Sequence, residues 1–274
     1  MIFKGYFVEL NTTKILKILR LIIQKLYQIW TIFNFTWLML FSVPLIIVLI
    51  IISEKQGGEM ANWVLKFWGR GFCALSGIFY KTIGKEKLLP NTPYIFTANH
   101  CSFLDSPAMV HAIPNQFRAL GKKEILKYPI FGFLFRYIGV TVDRSSLRSR
   151  TDSLASIRKK LDKQMHILIF PEGRMNMTSN PLLRFYDGAF RLAIEAQTPI
   201  VPTAILNSRT IMPRKKFRLQ TGVITVQFAD PIPTKGMTVE QIKELKTKVY
   251  TEIEQMILEF EQSPKTLSNR KPLN

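Results

Sequence analysis

The architecture this sequence predicts is an α/β fold, a mixed sheet flanked by helices, preceded by N-terminal membrane-associated hydrophobic and amphipathic helices. Three observations carry it. No residue is charged from Leu26 to Ser53. Beyond Gly84, short apolar runs alternate with segments of helical period, punctuated by Gly and Pro. A length of 274 residues suits one large domain with an appendage. Composition narrows the classes of function. With 47% hydrophobic and 21% charged residues the chain can bury a core, which excludes wholesale disorder. Lys and Arg number 38 against 19 acids, a net charge of +19, so a negatively charged partner is expected: nucleic acid, anionic lipid or a phosphorylated substrate. Cys73 and Cys101 are the only cysteines, which excludes a disulfide framework and four-cysteine zinc sites and fits a reducing compartment.

In chain order, residues 11–27 set Lys14, Lys17, Arg20 and Lys25 among Ile and Leu, a basic amphipathic helix. Ile29–Ile52 as a helix would extend about 36 Å, enough for a hydrocarbon core of about 30 Å. The run starts too late, is too long and lacks the small-residue site of a cleaved leader. Both of its flanks are basic, so a bend at Pro44, an oblique course or re-entry would keep both in the cytoplasm. From Met60 to Tyr80, Trp63, Phe67, Trp68, Phe72, Leu75 and Phe79 recur at helical spacing, a stripe suited to the headgroup layer or, alternatively, to the core. The expected division is an anchoring unit at 1–84, an α/β body with a C-terminal helix at 85–262, and a solvated tail at 263–274.

Within the body the strands are expected at Tyr94–Ala98, Phe117–Leu120, Val140–Val142, His166–Phe170, Ile200–Leu206 and Val223–Phe228, apolar enough to be covered on both faces. Helices are expected at Pro107–Ile113, Lys123–Tyr137, Arg150–Lys163 and Gly188–Gln197. Pro107 suits the first helical position after Ser106, and Asp187 suits an N-cap. Thr238 with Gln241 forms a capping-box pattern ahead of a charged helix reaching about Phe260.

Three segments can carry chemistry. Directly after the strand ending at Ala98 stand Asn99, His100 and Asp105. An imidazole takes a proton near neutral pH, and a nearby carboxylate fixes its tautomer and supports the imidazolium. Five residues apart on one helix the two would point about 140° apart, so they can meet only across a loop. The second segment is the strand His166–Phe170 running into Pro171, Glu172, Gly173 and Arg174, at the kind of strand end where ligands of open α/β sheets bind. Arg174 offers a fork for phosphate, Gly173 lets backbone approach, and Glu172 can accept from a hydroxyl or orient an Arg. The third is Gly139 through Asp143 and Arg144, a strand ending in a charged pair. Taken singly, the first can also be read as a helix-capping Asp with a structural His, the second as an ordinary turn with a surface ion pair, and the third is more simply a solvated salt bridge.

Taken together, Asn99-His100-x4-Asp105, Gly139…Asp143-Arg144, Phe170-Pro171-Glu172-Gly173 and Thr198-Pro199-Ile200-Val201-Pro202 resemble the four-block pattern of the glycerolipid acyltransferases, specifically the 1-acyl-sn-glycerol-3-phosphate acyltransferase family, over about residues 60–235. Gly121 to Glu124, Tyr128 to Gly132 and Asp187 to Phe190 add to the likeness. The resemblance implies transfer of a fatty acyl group from a thioester, on coenzyme A or acyl carrier protein, to a lysophosphatidic acid hydroxyl, with no other cofactor and no metal. It implies His100 as general base with Asp105 orienting it. Arg144, Glu172, Gly173 and Arg174, with Lys122 and Arg184, would be substrate-binding. The apolar run and its basic flanks point to a membrane location with the catalytic body on the cytoplasmic face. The sequence departs from the commonest third block: Arg174 stands where a hydroxyl residue is usual and Met175 where an Arg is usual, a variant similar to tafazzin-type transacylases. Before Gly188, Tyr186 and Asp187 replace the basic residue many relatives carry, and Arg184 is the candidate substitute.

Two further readings compete. Cys101 beside His100 could act as a thiol nucleophile. Arg158 to Lys160, Lys163 and Arg214 to Arg218 could make the chain a membrane-tethered basic module for anionic lipid or nucleic acid. The sparse aromatic interleaving argues against nucleic acid, which is not an expected partner. His111, His166 and Cys73 are read as structural.

Overall fold

The computed structural model describes residues 2–52, 56–127, 132, 135, 139–142, 155–213 and 219–263. Helix α1 spans Ile2–Ile52 and runs on through Pro44, so the basic and the apolar segments form one helix rather than two. No Gly or Pro separates them, which leaves nothing to stop it. Its Lys14–Leu49 portion, of mean hydropathy 2.2, is long and apolar enough to cross a membrane by length and composition.

Helix α2 (Gln56–Leu75) packs antiparallel on α1. The Tyr27 hydroxyl donates to Ser76 O at 2.7 Å and Trp30 Nε1 to Leu75 O at 2.9 Å. Further along, Phe35 meets the rings of Trp68 and Phe72 edge-on at 5.4 and 5.6 Å. The aromatic stripe is therefore divided. Trp68 and Phe72 turn toward α1 and the body, while Trp63 and Phe67 are exposed.

The stripe also ends sooner than its spacing suggests. Gly77 adopts φ 63° and closes the helix, with Ser76 and Gly77 N–H donating to Phe72 O and Ala74 O. Phe79 and Tyr80 then belong to a strand, β1 (Ile78–Ile83), so the sheet begins ahead of residue 85. Its alternating burial and its bracketing by Gly77 and Gly84 are strand signals that the helical spacing of the aromatics obscured.

The remaining strands are β2 (Ile95–Ala98), β3 (Phe117–Lys122), β4 (Gly139–Val142), β5 (His166–Ile169), β6 (Ile200–Leu206) and β7 (Gly222–Phe228). They form one mixed sheet in the order β1-β7-β6-β2-β5-β3-β4, with every pairing parallel except β6 with β7. The helices of the body are α3 (Asp105–Ala112), α4 (residues 155–161), α5 (Gly188–Glu195), α6 (Ser208–Ile211) and α7 (Ile242–Gln262). Central strands are buried throughout, and successive side chains alternate between two cores. Ile95, Ile167 and Ile200 join α4, α5 and α7 on one face, whereas Phe96, Leu168 and Val201 join α2 and α3 on the other.

Local details refine the expected boundaries. Helix α3 starts at Asp105 rather than Pro107, which sits in the first turn where its missing N–H has no helical partner to lose. Asp187 does precede α5, yet it makes no side-chain cap bond and instead pairs with Lys246 of α7 at 2.5 Å. The capping box is present, with Thr238 N–H donating to Gln241 Oε1 at 3.1 Å ahead of α7. Of the expected helix Lys123–Tyr137, Lys123–Lys127 forms a 3-10 turn. Most of its remainder, residues 150–154, the basic residues 214–218 and nearly all of the tail lie outside the described residues.

Candidate active site

β2 lies between β5 and β6, with all three parallel, so their carboxyl ends open on one edge of the sheet. Where β2 ends, the Asn99 side chain extends the ladder. Its Oδ1 accepts from Ile205 N at 2.6 Å and its Nδ2 donates to Ile205 O at 3.0 Å. This holds the chain against β6 while the next residue, His100, turns into the crevice.

His100 Nδ1 lies 2.9 Å from Asp105 Oδ2. The side chain of His100 is 20% exposed and that of Asp105 is 0% exposed. Oδ2 also accepts from the backbone N–H of Cys101 at 2.7 Å and Ser102 at 2.8 Å, and Oδ1 accepts from Ser208 Oγ at 2.6 Å. With both oxygens taken up by donors, the Asp105 carboxyl serves as an acceptor throughout. The network therefore assigns the ring proton to Nδ1, as the donor to Asp105, and leaves the Nε2 lone pair free. Phe170, at the end of β5, stacks on the imidazole at 4.3 Å and 22°, which fixes the ring plane.

Glu172 is 1% exposed and joins the two segments. Its Oε1 accepts from His100 N at 2.8 Å and its Oε2 from Leu183 N at 2.9 Å. Burial raises its pKa, an effect opposed by those two N–H groups. In this structure both oxygens hold backbone rather than a hydroxyl or an Arg. Gly173 closes the turn, donating to Phe170 O at 3.0 Å, and its φ of 67° is the left-handed conformation that suits glycine. Asn176 N–H donates to His100 O at 2.6 Å, so Phe170, Glu172 and Asn176 of one segment all hold His100.

The other expected site residues are more dispersed. Arg174 is exposed on the turn after Gly173. Lys122 ends β3 at the same sheet edge as His100. Arg184, with Lys246, Leu182, Phe185 and Tyr250, lines a cavity of about 510 Å³ behind the segment that Leu183 ties to Glu172. Arg144 lies outside the described residues. No group of three or more His, Cys, Asp or Glu side chains is placed to hold a metal among the described residues. Cys101 is buried, and burial, followed by the Asp105 charge, pushes its thiol up to about 12. A thiol held protonated is a poor nucleophile.

Two neighbours of the dyad were not legible in the sequence: Ser208, on the opposite side of Asp105, and Arg209. The Arg209 guanidinium donates to Thr178 O at 3.0 Å and to Asn180 O at 3.3 and 3.4 Å, pinning the loop after Glu172. Both residues stand over a hundred positions from His100 and form no motif with it; only the return of β6 to β2 brings them there.

A family model described as acyltransferase matches residues 80–206. A 1-acyl-sn-glycerol-3-phosphate acyltransferase of Chlamydomonas reinhardtii is 30% identical over 219 residues, covering 76% of this chain and 64% of that protein. The corresponding enzyme alpha of Homo sapiens is 30% identical over 177 residues, 64% of this chain and 62% of that one. The Saccharomyces cerevisiae enzyme is 31% identical over 191 residues, 69% and 63%. The chain thus spans a little under two thirds of the length of these relatives. The crystal structure of the 1-acyl-sn-glycerophosphate (LPA) acyltransferase PlsC from Thermotoga maritima superposes with a TM-score of 0.74 at 19% identity, over 89% of this chain and 98% of that one, and so shares the fold. The acyltransferase family model covers the blocks that hold His100 and Glu172, and the chain is similar in sequence to 1-acyl-sn-glycerol-3-phosphate acyltransferases and shares the fold of one, which supports its place in that family.

Proposed function

We propose that this chain acylates the free hydroxyl of lysophosphatidic acid, giving phosphatidic acid, with acyl coenzyme A or acyl-acyl carrier protein as the thioester donor. The observation that carries the reading is a largely buried but accessible imidazole at a strand end, held through Nδ1 by a fully buried, four-times hydrogen-bonded carboxylate. His100 Nε2 removes the hydroxyl proton as the oxygen attacks the thioester carbonyl. Asp105 stabilises the imidazolium while the tetrahedral adduct forms. As the adduct collapses, the carbon–sulfur bond breaks and the proton passes from Nε2 to the departing thiolate. A positioned base of this kind contributes roughly 10²–10⁴-fold. Arg144, Arg174, Lys122 and Arg184 supply cationic partners for the acceptor phosphate, and the apolar α1 keeps the body at a bilayer where both lipids reside, with the catalytic side in the cytoplasm.

A second reading is favoured by one feature, the Arg174 that follows Gly173: acyl exchange between phospholipids with no thioester. Purified full-length protein should release thiol from an acyl thioester only when lysophosphatidic acid is present, and His100→Ala should remove the release while the protein stays folded. Acyl exchange from intact phospholipid without any thioester would select the transacylase. Salt-sensitive binding to anionic vesicles with neither reaction would select a non-catalytic module.

A further inference from the structure

Asp105 is completely buried, and a buried carboxylate oxygen left without a donor is costly. Its two oxygens are served from different places. Oδ2 faces the turn that follows β2, taking His100 Nδ1 and the backbone N–H of Cys101 and Ser102. Oδ1 faces the other way and takes the Ser208 hydroxyl at 2.6 Å, the shortest of the contacts to this carboxylate. Ser208 is itself 0% exposed and opens α6, directly after Asn207 at φ 69° turns the chain out of β6. Its oxygen lies 3.3 Å from Cys101 Sγ, so with its proton given to Asp105 it accepts from the thiol. The result is a directional chain from the Cys101 thiol through the Ser208 hydroxyl to Asp105, which in turn receives the His100 N–H.

We propose that Ser208 is a positioning residue for acyl transfer, acting through Asp105: its hydroxyl locks the carboxylate plane so that Oδ2 stays on His100 Nδ1. This rests on the reading of His100 as the base. Without the hydroxyl, Oδ1 loses its donor and the ionised carboxylate is disfavoured. A proton then resides more readily on Asp105, which reverses the hydrogen bond to His100 and puts the imidazole proton on Nε2, where it blocks proton abstraction.

The test compares wild type with Ser208→Ala, Ser208→Thr and His100→Ala by kcat, KM and the pH profile of kcat/KM, each variant checked for folding by thermal melting. Ser208→Ala should lower kcat by about 10- to 100-fold, the range of a hydrogen bond to a charged group. KM for lysophosphatidic acid should hold, and the acid limb of the profile should move upward by about one pH unit. Ser208→Thr, which keeps the hydroxyl, should restore both kcat and the position of the limb. A folded Ser208→Ala enzyme whose acid limb does not move overturns the proposal, as does a threonine variant no better than the alanine. Full activity in His100→Ala would instead overturn the reading of the base, so the two failures are distinguishable. A Ser208→Ala chain that melts early still decides the matter when the profile is taken at a temperature where melting shows it folded at every pH assayed, because acid unfolding would otherwise displace the limb by itself.

Discussion

Glu172 shows what a single side chain does at this site. It spends both oxygens on backbone, one on each side of the crevice, and so sets the distance between the turn carrying His100 and the segment carrying Leu183. Glu172→Gln keeps one acceptor and aims an amide NH₂ at an N–H. The expected loss is about 1–3 kcal/mol of stability, seen as a lower Tm, together with a lower kcat at nearly unchanged KM for the acceptor. A KM rise at constant kcat and constant Tm would instead make Glu172 a substrate ligand. Cys101 gives a complementary case. With its thiol buried and pushed up to about 12, Cys101→Ala is expected to retain turnover, as measured by thiol release, and no acyl group should be trapped on the protein. Abolished turnover would revive a covalent route.

At the scale of the element, the turn Phe170–Gly173 converts the end of β5 into the scaffold of the dyad. Phe170 stacks on the imidazole, Glu172 holds its backbone, and Gly173 makes the reversal possible with a left-handed φ. Gly173→Ala should cost about 1–2 kcal/mol, the penalty for an L-residue in that conformation. It should also lower kcat, because relaxing the turn displaces Glu172 from His100. Melting and steady-state kinetics on the same preparation check both, and an unchanged kcat would separate the turn from the dyad. The helix pair α1 and α2 is a second example. Helical spacing alone placed Trp68 and Phe72 with Trp63 and Phe67, but packing against Phe35 divides them into an inward and an exposed row. Periodicity finds a stripe; it does not say which neighbour covers it.

Across the whole molecule, the sheet edge opposite the dyad holds His166, 4% exposed, whose Nδ1 accepts from Tyr94 N at 3.1 Å. That bond requires a neutral ring, and burial lowers its pKa to about 4. Between about pH 6.5 and 4 the unfolded chain binds this proton and the folded one does not, so stability should fall as pH falls through that window, by up to about 3 kcal/mol. His166→Phe should flatten the dependence of Tm on pH there, although it removes the acceptor of Tyr94 N–H and lowers Tm at neutral pH. A variant as acid-sensitive as wild type would show that other groups govern the window.

How much of this was legible depends on range. The six strands of the body, the capping box at Thr238 and the dyad residues follow from local information: β-branched runs, a cap pattern, and a His and an Asp separated by a loop that lets them meet. β1 was hidden because aromatic residues satisfy the helical and the strand period alike over so few positions. The one unbroken α1 was hidden because a change from basic to apolar residues suggests a boundary that the backbone does not need. Sequence by itself determined the family blocks, the apolar helix and the candidacy of His100 and Asp105, since these rest on neighbours in the chain. Only the tertiary structure decided that Glu172 grips backbone, that Ser208 completes the carboxylate and that Arg209 holds the adjoining loop. The Glu172–His100 and Ser208–Asp105 bonds join positions 72 and 103 apart and the Arg209–Thr178 bond bridges separate loops, and all exist only once β2, β5 and β6 lie side by side.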